Sequence, residues 1–466
     1  MIFRENEDNS GIALISCGGC AMLKSILYAS TLVFLSTGAK AADLPSKKAA
    51  AVDYVRICKI GDVSGFVIPG SDTCLKVSGR VRAEYFYAET FSRDSHATAT
   101  RGRGYVGLDA LTSTEFGVVR TAARVFVTRD TGRVTAGSGA PAGTRLPSGT
   151  DANPTLDFAY VQFGNLTAGR IGTSFFEFAP FGGVSFDGGG TLGRGSDYGS
   201  INTLAYTANL GLLTATLAIE DGTERRVGLG AVSGDTPAYA GHAVPDLVGR
   251  LDYTDDWGQA ALTGAIHQSR AASPSTAFRA QFIGAGGVLA ISTTYPNAFT
   301  AGAVGETAYG FAVQGGLKVN LPSLGAGDAL FLQAAYATGA NSYTGWGGTG
   351  AGTLAPQSYD VAYDAAGKAK LSDSWSVTGG LLHYWTPSLR QGVFAAWGRL
   401  DQFGPSNDVA AVSAGTNLIW SPVRNLDVGA EVVYAKLTQT PRSLLPLQAF
   451  DQRDSWSGRV RFERDF

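Results

Sequence analysis

The sequence is poor in charge, in methionine and in long apolar runs. Charged residues make up 16% of the 466 residues and there are only 2 Met, whereas about 25% of residues are charged in an average soluble protein. The formal net charge of −2 excludes the strongly basic surface expected of a general nucleic-acid binder. With 44% hydrophobic residues the chain can bury enough apolar surface to offset its ordering entropy, which argues against disorder.

The missing apolar runs limit how the chain could enter a membrane. After Ala42 no stretch reaches the roughly 18 apolar residues that a membrane-spanning helix needs. Such a chain can cross a membrane only as a closed β-barrel, because closure pairs every backbone N–H and C=O group where water is absent. The 62 glycines and 11% aromatic residues favour a β-rich, turn-rich fold of this kind.

The first residues predict export. Lys24 is followed by a short apolar run and by an A-x-A sequence, so residues 22–41 are typical of a cleaved secretory signal peptide. The polar residues 1–21 have no place ahead of such a signal. We interpret them as an upstream extension, with Met22 as the true start and 42–466 as the exported domain.

Two cysteines remain in the exported domain. Cys58 and Cys74 are separated by a segment rich in turn-forming residues. An exported chain meets an oxidising compartment, where such thiols are joined. We therefore expect a Cys58–Cys74 disulfide.

Apolar and polar residues alternate along much of the chain. Between residues 75 and 87 the apolar set is Leu75, Val77, Val81, Ala83, Tyr85 and Tyr87, and the polar set is Lys76, Ser78, Arg80, Arg82 and Glu84. The same period recurs at 117–129, where Arg120 and Arg124 share the polar face, and at 213–220 and 309–321. A strand sorts such residues to opposite faces, whereas a helix does not. Each segment is close to the roughly 9–11 residues with which a tilted strand crosses a bilayer core.

Connections of two lengths separate these segments. Short turn signals lie at 109–115, 255–258, 324–328, 386–388 and 421–425, and long polar or glycine-rich segments lie at 129–157, 222–243, 268–306 and 341–358. Short turns at one rim and long loops at the other are typical of an outer-membrane barrel, for which the chain length predicts about 16 strands.

Aromatic residues at the ends of the apolar faces support this interpretation. They include Tyr85, Tyr87, Trp375, Tyr384, Trp385, Trp397 and Trp420, and interfacial girdles of a barrel would place aromatic residues there. A soluble β-sandwich, propeller or β-helix would also show alternation. The lack of a fixed repeat of about 40–50 residues argues against a propeller.

Several segments resemble one known family. They are CKIGDVSGFVIPGSDTCLKVSGRVR at 58–82, AYVQFGNLTAGR at 159–170, GDALFLQAAY at 327–336, HYWTPSLR at 383–390 and NLIWSPV at 417–423. The chain resembles the trimeric porins of Rhizobiales and related alphaproteobacteria. This resemblance implies an all-β fold, a 16-stranded antiparallel transmembrane barrel. It also implies that three such barrels form a homotrimer in the lipid and lipopolysaccharide of the outer membrane. It also implies that Phe466 is an assembly signal for the outer-membrane insertion machinery.

The resemblance also implies a pore site. In the family a loop after the FGxLTxGR-like strand folds into the barrel, and here that loop is 171–200, with Glu177, Asp187 and Asp197 as acidic constriction residues. The basic residues expected to face them from the barrel wall are Arg80, Arg82, Arg120 and Arg124. Alternatively, these arginines only pair with carboxylates on adjacent strands.

The predicted function is passive diffusion of small hydrophilic solutes and ions through a water-filled lumen. A non-conducting structural or adhesin barrel in the outer membrane is the alternative. Enzyme chemistry is disfavoured, because the four His are scattered without metal-ligand spacing. The RGRGYVG stretch at 101–107 is not followed by the helix of a phosphate-binding loop, and we interpret it as the glycine-rich start of a strand. We therefore expect no cofactor, no metal, no catalytic residues and no nucleic-acid partner.

Overall fold

The protein is described from a computed structural model. The described residues are 56–90, 96–131, 154–178, 184–186, 200–231, 239–272, 279–283, 288–292, 305–346, 358–364, 366–403, 408–440 and 452–466. The expected upstream extension (1–21) and signal peptide (22–41) lie outside these ranges and stay predictions.

Sixteen strands form one closed antiparallel barrel. They are β1 (Cys74–Ala88), β2 (Thr98–Thr114), β3 (Gly117–Thr131), β4 (Pro154–Phe163), β5 (Leu166–Ile171), β6 (Ile201–Leu210), β7 (Leu213–Glu220), β8 (Asp246–Asp255), β9 (Gly258–Arg270), β10 (Thr307–Asn320), β11 (Ala329–Thr338), β12 (Asp373–Thr386), β13 (Leu389–Asp401), β14 (Asp408–Val423), β15 (Leu426–Thr440) and β16 (Gln452–Asp465). Each strand pairs with the next in sequence, and β16 pairs back to β1 with Asp465 opposite Arg80. The predicted all-β barrel of about 16 strands is confirmed.

The period of two sorts side chains between the outside and the lumen as predicted. On β1 the side chains of Val77, Val81 and Tyr85 are 51%, 56% and 59% exposed, whereas Glu84 is 1% exposed. Apolar side chains on the outside of a barrel face hydrocarbon, and polar ones face its lumen. The sequence pattern therefore assigned the two faces of this strand correctly.

Except at one position, the aromatic residues expected in the girdles lie on the outer face of the barrel. Trp385, Trp397 and Trp420 are 60%, 54% and 53% exposed on the outer face. Tyr384 was expected beside them but lies on the inner face, where it lines a cavity together with Arg82. The prediction for Tyr384 is wrong because adjacent residues of a strand point to opposite faces.

Connections differ in length between the two rims. Two residues connect the strands after β2, β4, β6, β8, β12 and β14, whereas the connections at the opposite rim include 172–200, 271–306 and 339–372. This arrangement confirms the predicted rims. The expected short turn at 109–115 is wrong in extent, since β2 continues to Thr114 and Asp109 pairs with Arg120 inside the barrel.

A small hairpin precedes the barrel. Its strands, Ile57–Ile60 and Val63–Val67, pair with each other, and the second strand also pairs with the start of β1. The expected Cys58–Cys74 disulfide is confirmed, with the two Cα atoms 5.8 Å apart. The bond ties the hairpin to the rim of short turns.

Short elements within the long connections complete the fold. A three-stranded sheet joins Leu229–Ala231, Val361–Tyr363 and Ala369–Leu371, and a hairpin pairs Arg279–Ile283 with Val288–Ser292. Two 3₁₀ turns lie at Gly222–Arg225 and Asn341–Thr344. The described part of the chain contains no helix with the length and hydropathy of a membrane span.

Candidate functional site

The connection after β5 folds into the barrel. The carbonyl oxygen of Phe176 accepts hydrogen bonds from Thr263 Oγ1 on β9, at 3.0 Å, and from Gln314 Nε2 on β10, at 2.8 Å. Both donors are buried, inward-facing residues. Phe176 itself is fully buried. The loop therefore leaves the wall at β5 and packs against the inner face of strands several positions away.

Glycines in the barrel wall make room for this loop. A Cβ atom at Gly316 of β10 would overlap the ring of Phe178, and one at Gly392 of β13 would overlap the carbonyl oxygen of Val184. No residue other than glycine allows so close an approach of loop and wall. These positions form a seat for the loop on the inner surface.

The far end of the loop is held by three strands near the barrel closure. Asn417 Nδ2 on β14 donates to the Val184 carbonyl at 2.7 Å, and the Phe186 amide donates to Glu431 Oε2 on β15 at 2.8 Å. Arg461 Nη1 on β16 donates to the Phe186 carbonyl at 2.8 Å. The predicted in-folded loop is therefore confirmed.

A buried polar cluster anchors the start of the loop. Glu177 Oε1 accepts hydrogen bonds of 3.1 Å from both Nη atoms of Arg225, whose side chain is 1% exposed. Tyr343 packs over the same guanidinium at 4.5 Å and donates to Asp246 Oδ2 at 2.7 Å. Burial raises the pKa of Tyr343 well above its ordinary value. Its hydroxyl therefore stays protonated and keeps this hydrogen bond.

A wall rich in arginine lies next to the barrel closure and meets the loop at Arg461. Strands β16 and β1–β3 place Arg80, Arg82, Arg101, Arg103, Arg120, Arg124, Arg459 and Arg461 on the inner face, together with Glu84, Asp109, Asp130, Glu463 and Asp465, and Asp157 lies nearby on β4. Opposite charges on neighbouring strands pair across the sheet.

The four arginines predicted from sequence all lie on this wall. Each one is paired with a carboxylate of a neighbouring strand. The pairs are Arg80–Asp465 at 2.5 Å, Arg82–Glu463 at 2.5 Å, Arg120–Asp109 at 2.6 Å, and Arg124–Asp157. The structure thus contains the pairing that was the alternative to a constriction role. That role for the arginines stays a prediction.

The acidic residues predicted from sequence are not brought together with these arginines. Glu177 is 6% exposed and its carboxylate is taken up by Arg225. Asp187 and Asp197 lie outside the described residues, and their place at a constriction stays a prediction.

Sequence reasoning missed two arginines of β2. Arg101 and Arg103 alternate with glycines in a stretch that was interpreted only as the glycine-rich start of a strand. The period of two was present there as well, with the inward-facing Tyr105 continuing the series. Extending the parity argument by one strand would have found both arginines.

A cavity of about 400 Å³ lies between the loop and the basic wall. Ser185 and Phe186 line it from the loop, and Arg82, Arg461 and Glu463 line it from the wall. The arginine wall and the in-folded loop therefore meet around one water-accessible space.

No metal-binding group was found in the part of the chain that the structure describes. No cluster of three or more His, Cys, Asp or Glu residues is placed there to hold an ion. His383 on β12 is 31% exposed in its side chain and contacts Asp328 through Nδ1 at 2.5 Å.

Comparisons with known proteins agree with this architecture. A family model described as the Porin subfamily matches residues 43–459. The chain is 29% identical to porin Omp2b of Brucella abortus over 248 residues, which cover 51% of this chain and 64% of that protein. Porin Omp2b of Brucella melitensis matches with the same identity and coverage. These matches span less than two thirds of the relatives' own length.

The fold is shared by a solved outer-membrane channel. The outer membrane channel DcaP of Acinetobacter baumannii superposes with a TM-score of 0.56 at 16% identity. The superposition covers 86% of this chain and 99% of that chain.

Proposed function

Because this chain belongs to the Porin subfamily, we propose that it is a general-diffusion porin that passes small hydrophilic solutes and ions across the bacterial outer membrane. The single observation that carries the proposal is the loop within the closed barrel. Val184 and Phe186 are bonded to the inner face of β14, β15 and β16, and Phe186 borders the same space as Arg82 of β1. A loop in this position narrows the lumen and leaves its wall polar.

The chemistry of the wall explains how a solute would pass. Guanidinium and carboxylate groups fixed on neighbouring strands create a strong local field in the lumen. Dipolar and charged solutes gain favourable orientations in this field and exchange hydration water for polar contacts. Apolar solutes must displace ordered water without compensating contacts. The narrowest part of the lumen therefore acts as a filter for size and polarity.

The assembly is also part of the proposal. We infer a homotrimer from the resemblance to trimeric porins, in contact with outer-membrane lipid and lipopolysaccharide, with Phe466 as a signal for the insertion machinery. The apolar outer face supports a membrane setting, since residues such as Val81 and Leu217 are more than half exposed on it. Cross-linking of the purified protein in detergent would test the number of copies.

Planar-bilayer recording tests the channel directly. The refolded or extracted protein should open ohmic conductance steps in groups of three, and proteoliposomes should swell in isotonic solutions of small sugars. A folded, membrane-inserted protein without conductance would favour the non-conducting structural barrel and would overturn the proposal.

A further inference from the structure

Four guanidinium groups surround one tyrosine ring on the lumen face of β2. The Cζ atoms of Arg80, Arg82, Arg103 and Arg124 lie 5.8, 5.9, 5.8 and 5.5 Å from the ring centroid of Tyr105. An aromatic face attracts cations, but cations this close together also repel one another. The cluster therefore depends on nearby negative charge.

Three of the four guanidinium groups each form an ion pair with a carboxylate. Their partners are Asp465 for Arg80, Glu463 for Arg82 and Asp157 for Arg124. Each partner lies on a neighbouring strand, so these pairs are built into the wall. The cluster contains one more guanidinium than carboxylates.

Arg103 is the fourth member, and its partners are neutral. Its Nε donates to Thr128 Oγ1 at 2.7 Å, its Nη1 donates to Tyr105 Oη at 3.1 Å, and its guanidinium lies 4.5 Å from the ring centroid of Phe126. Within the described ranges no carboxylate forms an ion pair with Arg103. These contacts hold the Arg103 side chain in position, but they do not neutralise its positive charge.

The remaining donors of Arg103 define what could bind there. An arginine carries five N–H groups, of which Thr128 and Tyr105 take two, so that three remain on Nη1 and Nη2. The planar fork of these two nitrogens matches the two oxygens of a carboxylate. Arg103 is also partly exposed on the lumen side of the strand.

We propose that Arg103 is a docking site for the carboxylate group of a permeating solute. The inference rests on the proposed channel function and adds a solute class to it, namely small organic carboxylates. A carboxylate can dock on Arg103 without breaking an existing ion pair, whereas at Arg82 it would have to compete with Glu463. Solutes with a carboxylate therefore dwell at this point of the wall, and neutral solutes of the same size do not.

The experiment uses the full channel in a planar bilayer with chloride as the current carrier and succinate as the probe. In the wild type, added succinate should reduce the chloride conductance with a saturable concentration dependence, whereas the neutral diamide of succinate should not. In R103Q the half-saturating succinate concentration should rise about tenfold or more, because a charge-assisted bidentate contact is lost. R103K keeps the charge but loses the fork, so it should lie between the two.

Arg101→Gln is the matched control. Arg101 lies two residues away on the same face of β2 and is paired with Asp130 at 2.8 Å. R101Q should leave the half-saturating concentration within about twofold of the wild type, because a carboxylate already occupies this guanidinium. If the half-saturating succinate concentration rises equally in R101Q and R103Q, the effect comes from the overall charge of the lumen, and the proposed docking site is wrong.

The remaining outcomes are also decisive. If the wild type conducts but succinate has no saturable effect, the docking site is wrong while the channel stands. If the folded wild type does not conduct at all, the proposed function itself fails. The heat-dependent gel mobility of the barrel shows whether R103Q folds. If it does not fold, R103K is used to test the docking site. An unchanged half-saturating concentration in R103K would overturn the inference.

Discussion

Gly79 of β1 and Phe466 exchange two backbone hydrogen bonds, from Gly79 N to Phe466 O at 2.8 Å and from Phe466 N to Gly79 O at 3.0 Å. This pair extends the seam between β16 and β1 beyond Asp465 and Arg80. The ring of Phe466 lies over Gly79, so that a Cβ atom there would overlap it. The closure of the barrel therefore combines a continued ladder with an aromatic ring that covers a glycine.

Replacing Gly79 by Val should weaken this seam. The added side chain displaces the Phe466 ring, and overpacking of this kind typically costs about 1–3 kcal/mol. The temperature at which the folded barrel converts to the unfolded form on a gel should fall. Gly104→Ala on β2 is the control, because a Cβ there meets nothing within 4 Å. Equal transition temperatures for G79V and G104A would contradict the proposed packing.

Replacing Gly392 by Ala should displace the in-folded loop. The new methyl group would overlap the Val184 carbonyl, so the loop must move away from β13 and into the lumen, at a cost of about 1–3 kcal/mol. Single-channel conductance should fall while the barrel stays folded. Gly249→Ala on β8 introduces the same methyl group at an open position and should leave conductance unchanged. The loop seat is wrong if G392A conducts like the wild type.

Replacing both Arg80 and Arg82 by Ala should shift ion selectivity toward cations. The change removes two positive charges from the lumen and leaves Glu463 and Asp465 unpaired. Reversal potentials in a salt gradient measure the shift. Arg399→Ala is the control, because Arg399 shares strand parity with the outward-facing Trp397 and should not alter selectivity. No shift in the double variant would refute a role of this wall in the ion path.

The stability of the loop region should depend on the protonation of Asp360. This residue lies in the connection between β11 and β12, and burial raises its pKa to about 6. Its carboxylate accepts hydrogen bonds from the amides of Asn341, at 2.7 Å, and Val227, at 3.1 Å. The pKa of Asp360 in the folded state is above its unfolded value of about 3.9. As the pH falls, its carboxylate is therefore protonated at a higher pH in the folded protein than in the unfolded chain. Stability from this group therefore increases as the pH falls from about 7 to 4, by roughly 2 kcal/mol.

Thermal unfolding of the wild type and D360N across this pH range measures the effect. The difference in stability between the two proteins should change between pH 7 and pH 4, with the wild type gaining relative to D360N as the pH falls. His267 lies close enough to influence Asp360, so the comparison uses the difference between the proteins. Parallel pH profiles would show that Asp360 does not titrate in this window.

The period of two was readable from sequence because it is a local property of a strand. It placed Arg80, Arg82, Arg120 and Arg124 on the inner face and the aliphatic residues outside, and the structure agrees. The girdle prediction placed Tyr384 and Trp385 on the same face, which is impossible because adjacent residues of a strand point to opposite faces. The disulfide was also predictable, since only two cysteines remain after the expected signal peptide.

Sequence alone determined the strand faces and the two kinds of rim, because each depends on residues adjacent in the chain, and the chain length predicted about 16 strands. Only the tertiary structure determined which side chains form ion pairs and hydrogen bonds with one another. Arg80 meets Asp465, 385 residues later, because the barrel closes. Glu177 is buried because Arg225 reaches it from another loop. Arg103 differs from Arg101 because its cross-strand neighbour Thr128 carries a hydroxyl and not a carboxylate. Such contacts join distant segments, and no local pattern records them.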